Sequence, residues 1–401
     1  MSKLIAEVLS ETVLPITWEY RPLGDIAEIT MGNSPPGESY NDVGKGVPLV
    51  NGPVEFSDGA FGSTRKIKFT TSPTKMCRAG DFLICVRGST TGRTNVASFD
   101  ACIGRGVASI RASLCQSYLN HFIRTLEKRI HALGKGSTFP SISQQQLAEL
   151  SVPIPCPDDL QRSTEEQKRI AGILDQADAI RRKRQEVETH FDELLKSTFI
   201  QMFGNPIRNP MEWDVEPLGV VATLDRGKSR HRPRDAKFLY GGLYPLVQTG
   251  DITNSNGFVR NYSQTYSEEG LAQSRLWPAG TLCITIAANI GKTAVLTFDA
   301  CFPDSVVGLI AGEKLTIEYV RHWFVAMEKA TDAAATQVAQ KNINLEYLRN
   351  LKIQVPSLAK QQQFSSAVNK IRQARGNAEI AHNEASGLFN SLVQRAFEGK
   401  L

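Results

Sequence analysis

The heptapeptide Trp18-Glu-Tyr-Arg-Pro-Leu-Gly24 returns 195 residues later as Trp213-Asp-Val-Glu-Pro-Leu-Gly219. Gly32 and Gly227 keep the same offset. Pro48-Leu-Val50 recurs as Pro245-Leu-Val247, and Ala79-Gly80 as Ala279-Gly280. Phe99-Asp-Ala-Cys102 recurs letter for letter as Phe298-Asp-Ala-Cys301. Tyr118-Leu-Asn-His121 answers Tyr319-Val-Arg-His322, Glu127-Lys128 answers Glu328-Lys329, and Ile142, Leu147, Leu150 and Pro155 answer Ile343, Leu348, Leu351 and Pro356. One shared tetrapeptide could be coincidence, but an ordered series with slowly drifting offset is a tandem duplication.

Each copy divides in two. Residues 15–157 and 206–357 are rich in Gly and β-branched residues, with short apolar runs such as 82–86 and 107–110 that read as strands. Leu119, Phe122, Ile123, Leu126 and Ile130 share one face of an amphipathic helix, and Val320, Trp323, Phe324 and Met327 share that of its copy. A helix, a strand and prolines close each globular part at 147–157 and 348–356. Long helices follow. Ile170, Ile173, Leu174, Ala177, Ile180, Val187, Phe191, Leu194 and Phe199 line the first, and Phe364, Val368, Ile371, Ala378, Ala385, Leu388 and Leu392 the second. Ser163-Thr-Glu-Glu166 has the spacing of a capping box and is expected to start the first. A long helix with one apolar stripe needs a partner, and the other copy is the obvious one. The expected fold is α+β: two globular α/β domains in tandem, separated by two long antiparallel helices. Its segments are an N-terminal arm (1–14), a first domain (15–157), a first spacer helix (158–205), a second domain (206–357) and a second spacer helix (358–401).

Composition excludes some classes. With 41% hydrophobic and 22% charged residues, the 401-residue chain reads as globular rather than disordered. The longest apolar stretches, such as 281–288, fall well short of about 18 residues, so no membrane span is expected. No signal peptide is read at the N-terminus. Seven cysteines without a CxxC argue against a disulfide framework or structural zinc and for the cytoplasm. The net charge of +5 permits an anionic partner without requiring one.

The duplicated module on paired helices resembles the specificity subunit of type I restriction–modification enzymes. The resemblance rests on Trp18…Leu23-Gly24…Gly32 and its copy Trp213…Leu218-Gly219…Gly227. It rests also on Ala79-Gly80-Asp81, Glu166-Gln-Lys-Arg-Ile170, Leu194-Leu-Lys-Ser-Thr-Phe199 and the ending Ser391-Leu-Val-Gln-Arg-Ala-Phe-Glu-Gly-Lys-Leu401. It covers nearly the whole chain in order. The second helix departs from the pattern, with Lys360-Gln-Gln-Gln363 where the family has a Glu-Gln pair. The resemblance implies that each globular part is a target-recognition domain reading half of a bipartite site in double-stranded DNA. The helices would set the gap and bind two methyltransferase subunits, and motor-nuclease (restriction) subunits would join them. The chain itself would be non-catalytic and bind no cofactor, with S-adenosylmethionine, ATP and Mg on the partner subunits. A stand-alone two-headed DNA-binding regulator is the alternative.

No intact catalytic set competes with this reading. Ile290-Gly-Lys-Thr293 ends like a phosphate-cradling P-loop, but the earlier glycine is Ile286. Pro157-Asp158 with Glu166-Gln-Lys168 imitates a nuclease signature, yet the acids read as helix caps and the second copy lacks them. Asn33-Ser-Pro-Pro36 imitates a methyltransferase tetrapeptide but is followed by Gly37. His121 and His322 share a repeat position and read as structural. The DNA-contact candidates lie in loops. Residues 226–234 (RGKSRHRPR) carry Arg226, Lys228, Arg230, Arg232 and Arg234 without an acid. Arg87, Ser89, Thr90 and Arg93 correspond to Asn289, Lys292 and Thr293; Lys135, Ser137 and Thr138 correspond to Gln337, Lys341 and Asn342. Arg, Lys, Ser and Thr suit phosphates, and Gln, Asn and Arg also suit base edges. Arg181-Arg-Lys-Arg184, mid-helix, reads equally as a DNA-facing or a solvated face.

Overall fold

The computed structural model describes residues 14–57, 62–133, 141–287, 290–333 and 344–401. The chain forms two compact units, residues 1–185 with 381–401 and residues 186–380. Both combine helix and sheet, and the repeat motifs build the same contacts in each.

In the first unit, Ala27–Met31, Val107–Ala112, Phe82–Cys85 and Thr94–Val96 form an antiparallel sheet in that spatial order. In the second, Ala222–Arg226, Val306–Ala311, Leu282–Thr285 and Thr293–Leu296 repeat it, and Phe258–Val259 adds a parallel edge. The Trp-containing motif pairs with the closing strand: Trp18–Pro22 with Ser151–Pro155, and Val215–Pro217 with Lys352–Gln354. The ends of each repeated segment are thereby tied together.

Other motifs meet one another. Leu49 of the Pro-Leu-Val motif lies beside Cys102 in parallel register, as Leu246 lies beside Cys301. The aspartate of Phe-Asp-Ala-Cys accepts from the Ala79 amide in one unit and the Ala279 amide in the other, both at 2.8 Å. Gly32 and Gly227 persist because an added Cβ would lie 2.2 Å from the carbonyl oxygen of Gly104 or Phe302. Only glycine allows that approach. Tyr118 and Tyr319 are buried and donate to the Pro153 and Gln354 carbonyls at 2.6 and 2.9 Å.

The amphipathic helix differs between copies. Its first version is two helices, Gln116–Thr125 and Glu127–Leu133, and its second is one, Ile317–Ala333. At the break, the Thr125 hydroxyl donates to the Phe122 carbonyl and the Leu126 amide turns back to Ile123. A side chain competing for a backbone carbonyl loosens the helical ladder. The expected apolar face holds: Leu119, Phe122, Ile123, Leu126 and Ile130 are all buried.

The long helices run Leu160–Phe203 and Leu358–Phe397, 44 and 40 residues. The first does not start as its capping-box spacing suggests. Asp159 is the cap, its carboxylate accepting from the Arg162 amide at 3.0 Å and its carbonyl from Ser163 at 2.8 Å. Ser163 lies inside the first turn, buried, accepting from Gln167. Glu166 instead pairs with Arg169, whose hydrogen bond holds its carboxyl below the usual range against the opposing effect of burial. Gly204, at φ 79°, ends the helix before Pro206. In the second helix Gln361 is fully buried, accepting from Thr316 and donating to the Lys314 and Pro356 carbonyls. A buried glutamine thus stands near both helix starts, but Gln361 ties its helix to Lys314 and Thr316, whereas Gln167 donates to Ser163 of its own helix.

Each unit takes one end of each long helix. The core of the first contains Ile170, Ala171 and Leu174 from the start of the first helix and Ala396 and Phe397 from the end of the second. The core of the second contains Phe364 and Val368 from the start of the second helix and Phe199 and Phe203 from the end of the first. Phe397 stands edge-on to Tyr118 at 5.3 Å, and Phe203 edge-on to Tyr319 at 4.8 Å. The segments run antiparallel within each unit: Arg169 reaches Leu401 while Arg181 lies over Phe389, and Asp192 meets Arg375 while Phe199 meets Phe364.

Candidate nucleic-acid interface

In the first unit, Phe82–Cys85 and Thr94–Val96 are joined by a hairpin carrying Arg87, Ser89, Thr90 and Arg93. Gly88 and Gly92, at φ 80° and 93°, supply the left-handed positions of this turn. Thr91 accepts, through its carbonyl, from Nδ1 of His131, which ties the turn to the neighbouring helix. Arg87 bridges to Ser141, and the Val86 amide donates to Gly106 at 2.9 Å. The Arg105 amide reaches the Ser34 hydroxyl at 3.4 Å. Three segments therefore converge at one end of the sheet: the hairpin, the turn 104–106, and the residues after Met31. Arg87, Ser89 and Arg93 are exposed there, and Thr90 is partly so. Arg105, also exposed, was not singled out by the sequence, since a lone arginine in a Gly-Arg-Gly turn has no pattern.

The second unit repeats the arrangement with different charges. Leu282–Thr285 and Thr293–Leu296 enclose the hairpin that carries Lys292, with Gly291 at φ 87°. Lys292 is exposed and Thr293 half-buried. The turn joins two antiparallel strands, whereas a P-loop leads from a strand into a helix. The Ile286 amide donates to Ser305 at 2.9 Å, the counterpart of Val86 to Gly106. The adjoining turn carries Asp304 where the first unit has Arg105, and it takes up part of the basic loop. Arg226 donates to the Asp304 carbonyl at 2.9 and 2.6 Å, and Arg234 pairs with its carboxylate at 2.9 Å. Arg232 donates to the Ser229 and His231 carbonyls. The Arg230 and His231 amides share Oε1 of Gln273. Among the described residues, Arg226, Lys228, Arg230 and Arg232 form no ion pair, so four of the five cations keep unneutralised charge. Lys135, Ser137, Thr138, Asn289, Gln337, Lys341 and Asn342 lie outside the described residues.

His121 and His322 are both buried and both face a carboxylate. His121 Nε2 lies 2.9 Å from Asp175 of the first long helix, and Ser117 donates to the same carboxylate. In the second unit the carboxylate has moved. Glu318, one turn before His322, lies 3.1 Å from its Nε2, and the long helix supplies Arg372, 3.1 Å from both Glu318 oxygens. Burial opposes ionisation of Glu318, but His322 and Arg372 outweigh it and hold its pKa at about 2. Burial lowers that of His322, so the imidazole is neutral at neutral pH. Among the described residues no group of His, Cys, Asp and Glu is arranged to hold a metal ion. Arg181 and Arg182, from the mid-helix basic run, both pair with buried Asp178.

The profile of the type I restriction modification DNA specificity domain matches residues 15–189 and again 210–379. A putative type I restriction enzyme MjaX specificity subunit of Methanocaldococcus jannaschii is 31% identical over 180 residues, 44% of this chain and 41% of that protein. The type I restriction enzyme MjaIX specificity subunit of the same organism is 23% identical over 262 residues, 59% and 58% of the two chains. The chain thus spans about half the length of the curated relatives it matches. The S subunit of a type I restriction–modification system from M. genitalium superposes over 98% of both chains with a TM-score of 0.55 at 15% identity. A chain from a structure on complex assembly and conformational transition of the type I R-M system superposes over 97% of this chain and 100% of its own, with a TM-score of 0.63 at 17% identity. At such identities the likeness is one of fold.

Proposed function

Because the chain belongs to the type I restriction–modification DNA specificity family, we propose that it is the non-catalytic, sequence-specifying subunit of such a complex, each unit reading one half of a bipartite site in double-stranded DNA. One observation carries this reading: the same three loop segments converge at the same sheet end in both units, each set carrying exposed cations of its own. Duplicated framework with divergent loop chemistry is what reading two different half-sites requires. Backbone contacts would come from Arg87, Arg93, Arg105, Lys228, Arg230, Arg232 and Lys292, with hydroxyls from Ser89, Thr90 and Thr293. The candidates outside the described residues remain part of the proposal. The long helices would set the unread gap and hold two methyltransferase subunits, to which motor-nuclease subunits add. S-adenosylmethionine, ATP and Mg would belong to those partners, and the complex would act in the cytoplasm.

Co-purification tests it. Drawn from its host, the chain should bring a DNA methyltransferase with it, and the complex should methylate a bipartite motif. The single chain should transfer no methyl group from S-adenosylmethionine. Methyl transfer by the single chain, or tight sequence-specific binding with no partner, would refute the proposal.

A further inference from the structure

The second unit contains a cavity of about 570 Å³ that shares one residue, Lys292, with the proposed loop contacts. Lys196, Arg260, Lys292, Arg321, Arg372 and Arg375 line it, opposed by Asp192 and Glu379. Behind them lies Glu318. The cations come from the hairpin, the segment just after the edge strand, the amphipathic helix and both long helices, so the fold has gathered them from across the unit. Three guanidiniums surround one ring: Arg372, Arg321 and Arg260 lie 4.3, 5.2 and 5.5 Å from the centre of Phe258. Gly257, at φ 86°, leaves the space that the Arg321 guanidinium fills.

Leaving Lys292 aside, five cations face Asp192, Glu318 and Glu379, so these acids do not balance the charge. Asp192 engages Arg375 at 2.8 Å, and Glu318 is shared between Arg372 at 3.1 Å and Arg321 at 3.6 Å. His322 adds no charge of its own. Arg321 is 13% exposed, and its Nε is buried without an acceptor. Gathering like charges and burying a guanidinium donor unsatisfied are both unfavourable, and an anion relieves both. Leu195, Phe199, Val325, Val368 and Ile371 supply an apolar wall to the same cavity. Cations with an apolar wall in a space of this size suit a phosphoryl group carried on an organic body, because guanidinium forks match phosphate oxygens. The corresponding hollow of the first unit is lined by Asp175 and Asp178 with Arg182 and has no such excess.

We propose that this cavity binds a phosphorylated anion of nucleotide size, either a free nucleotide or a nucleotide unit of a DNA strand. The proposal stands without the DNA-reading function, since the charge imbalance is internal to the unit. The test is calorimetric titration of the full-length chain with inorganic pyrophosphate and with ADP, in phosphate-free buffer. Lys196→Gln and Arg260→Gln are the variants, because both side chains are exposed at the rim and removing them leaves the core intact. Saturable binding of either probe, weakened about tenfold in each variant, is the expected result. Duplex DNA is then added as a competitor. Displacement of the probe identifies a DNA phosphate as the source, and undisturbed binding identifies a free nucleotide. No saturable binding by the folded chain, or binding by both variants as tight as by the unaltered chain, overturns the proposal. Because the titration needs neither methyltransferase nor a recognition site, its failure is separable from failure of the DNA-reading function.

Discussion

The two buried histidines illustrate how one framework diverges residue by residue. Each faces a carboxylate, but the carboxylate comes from the long helix in the first unit and from the histidine's own helix in the second. Asp81 and Arg111 diverge together in the same way: they form a bidentate pair in the first unit, while Thr281 and Ile310 occupy the corresponding positions in the second. Glu318 gives a pH prediction. Its pKa falls from the ordinary 4.5 to about 2 on folding, so its contribution is complete above pH 4.5 and is lost as the pH drops towards 2. That contribution is on the order of 3 kcal/mol. His322, lowered from 6.5, adds a loss that begins at higher pH. Glu318→Gln should therefore lower the melting temperature at pH 7 and flatten its decline below pH 4.5. An unchanged pH profile would show that the pair contributes nothing. Lys292 tests a phosphate contact. Lys292→Ala should weaken binding of the assembled complex to all DNA sequences alike and lower the salt slope by about one unit. Loss of preference at a single base pair would make it a base reader instead.

At the level of elements, the repeated motifs were legible because they are the pieces that must fit one another. Tyr118, Gly32, Asp100 and Cys102 each have a copy with the same partner type, so their spacing carried the fold. The loops were legible only as composition. Nothing near Arg226 or Arg234 in sequence announced Asp304, some 70 residues away, and nothing joined Phe258, Glu318 and Arg372, which lie on three elements. The helix start was misread for a local reason: Asp159, two residues beyond Pro157, caps before the Ser-x-x-Glu pattern begins. The C-terminal segment offers a test of how the helix ends serve the units. Residues 391–401 bring Ala396 and Phe397 into the core of the first unit. Phe397→Ala should destabilise that unit by about 3–5 kcal/mol, and hydrogen exchange should rise around Tyr118 and Phe122. Protection around Tyr319 and Trp323, which rest on Phe199 and Phe203 instead, should not change. Equal loss in both units would mean that they do not have separate cores.

For the whole molecule, the long helices carry the proposed spacing and the two units carry the proposed reading. Four helix-forming residues inserted after Arg184 add about one turn, roughly 6 Å, and restore the apolar face. Two residues turn that face by roughly 200°. The first insertion should lengthen the gap between half-sites by at most about two base pairs with the half-sites unchanged, and the second should abolish assembly. Methylation mapping in cells carrying each variant reads the outcome; an active four-residue insertion that kept the original gap would contradict the helices as a ruler.

The claim that each unit reads its own half-site rests on the separate cores, the separate closing strands and the two matched segments. It is tested most directly by replacing residues 206–357 with the corresponding segment of a relative and mapping methylation in cells that carry the cognate methyltransferase. The expected motif keeps the half-site assigned to the first unit and acquires a new second half. A motif altered in both halves, or in neither, would contradict it.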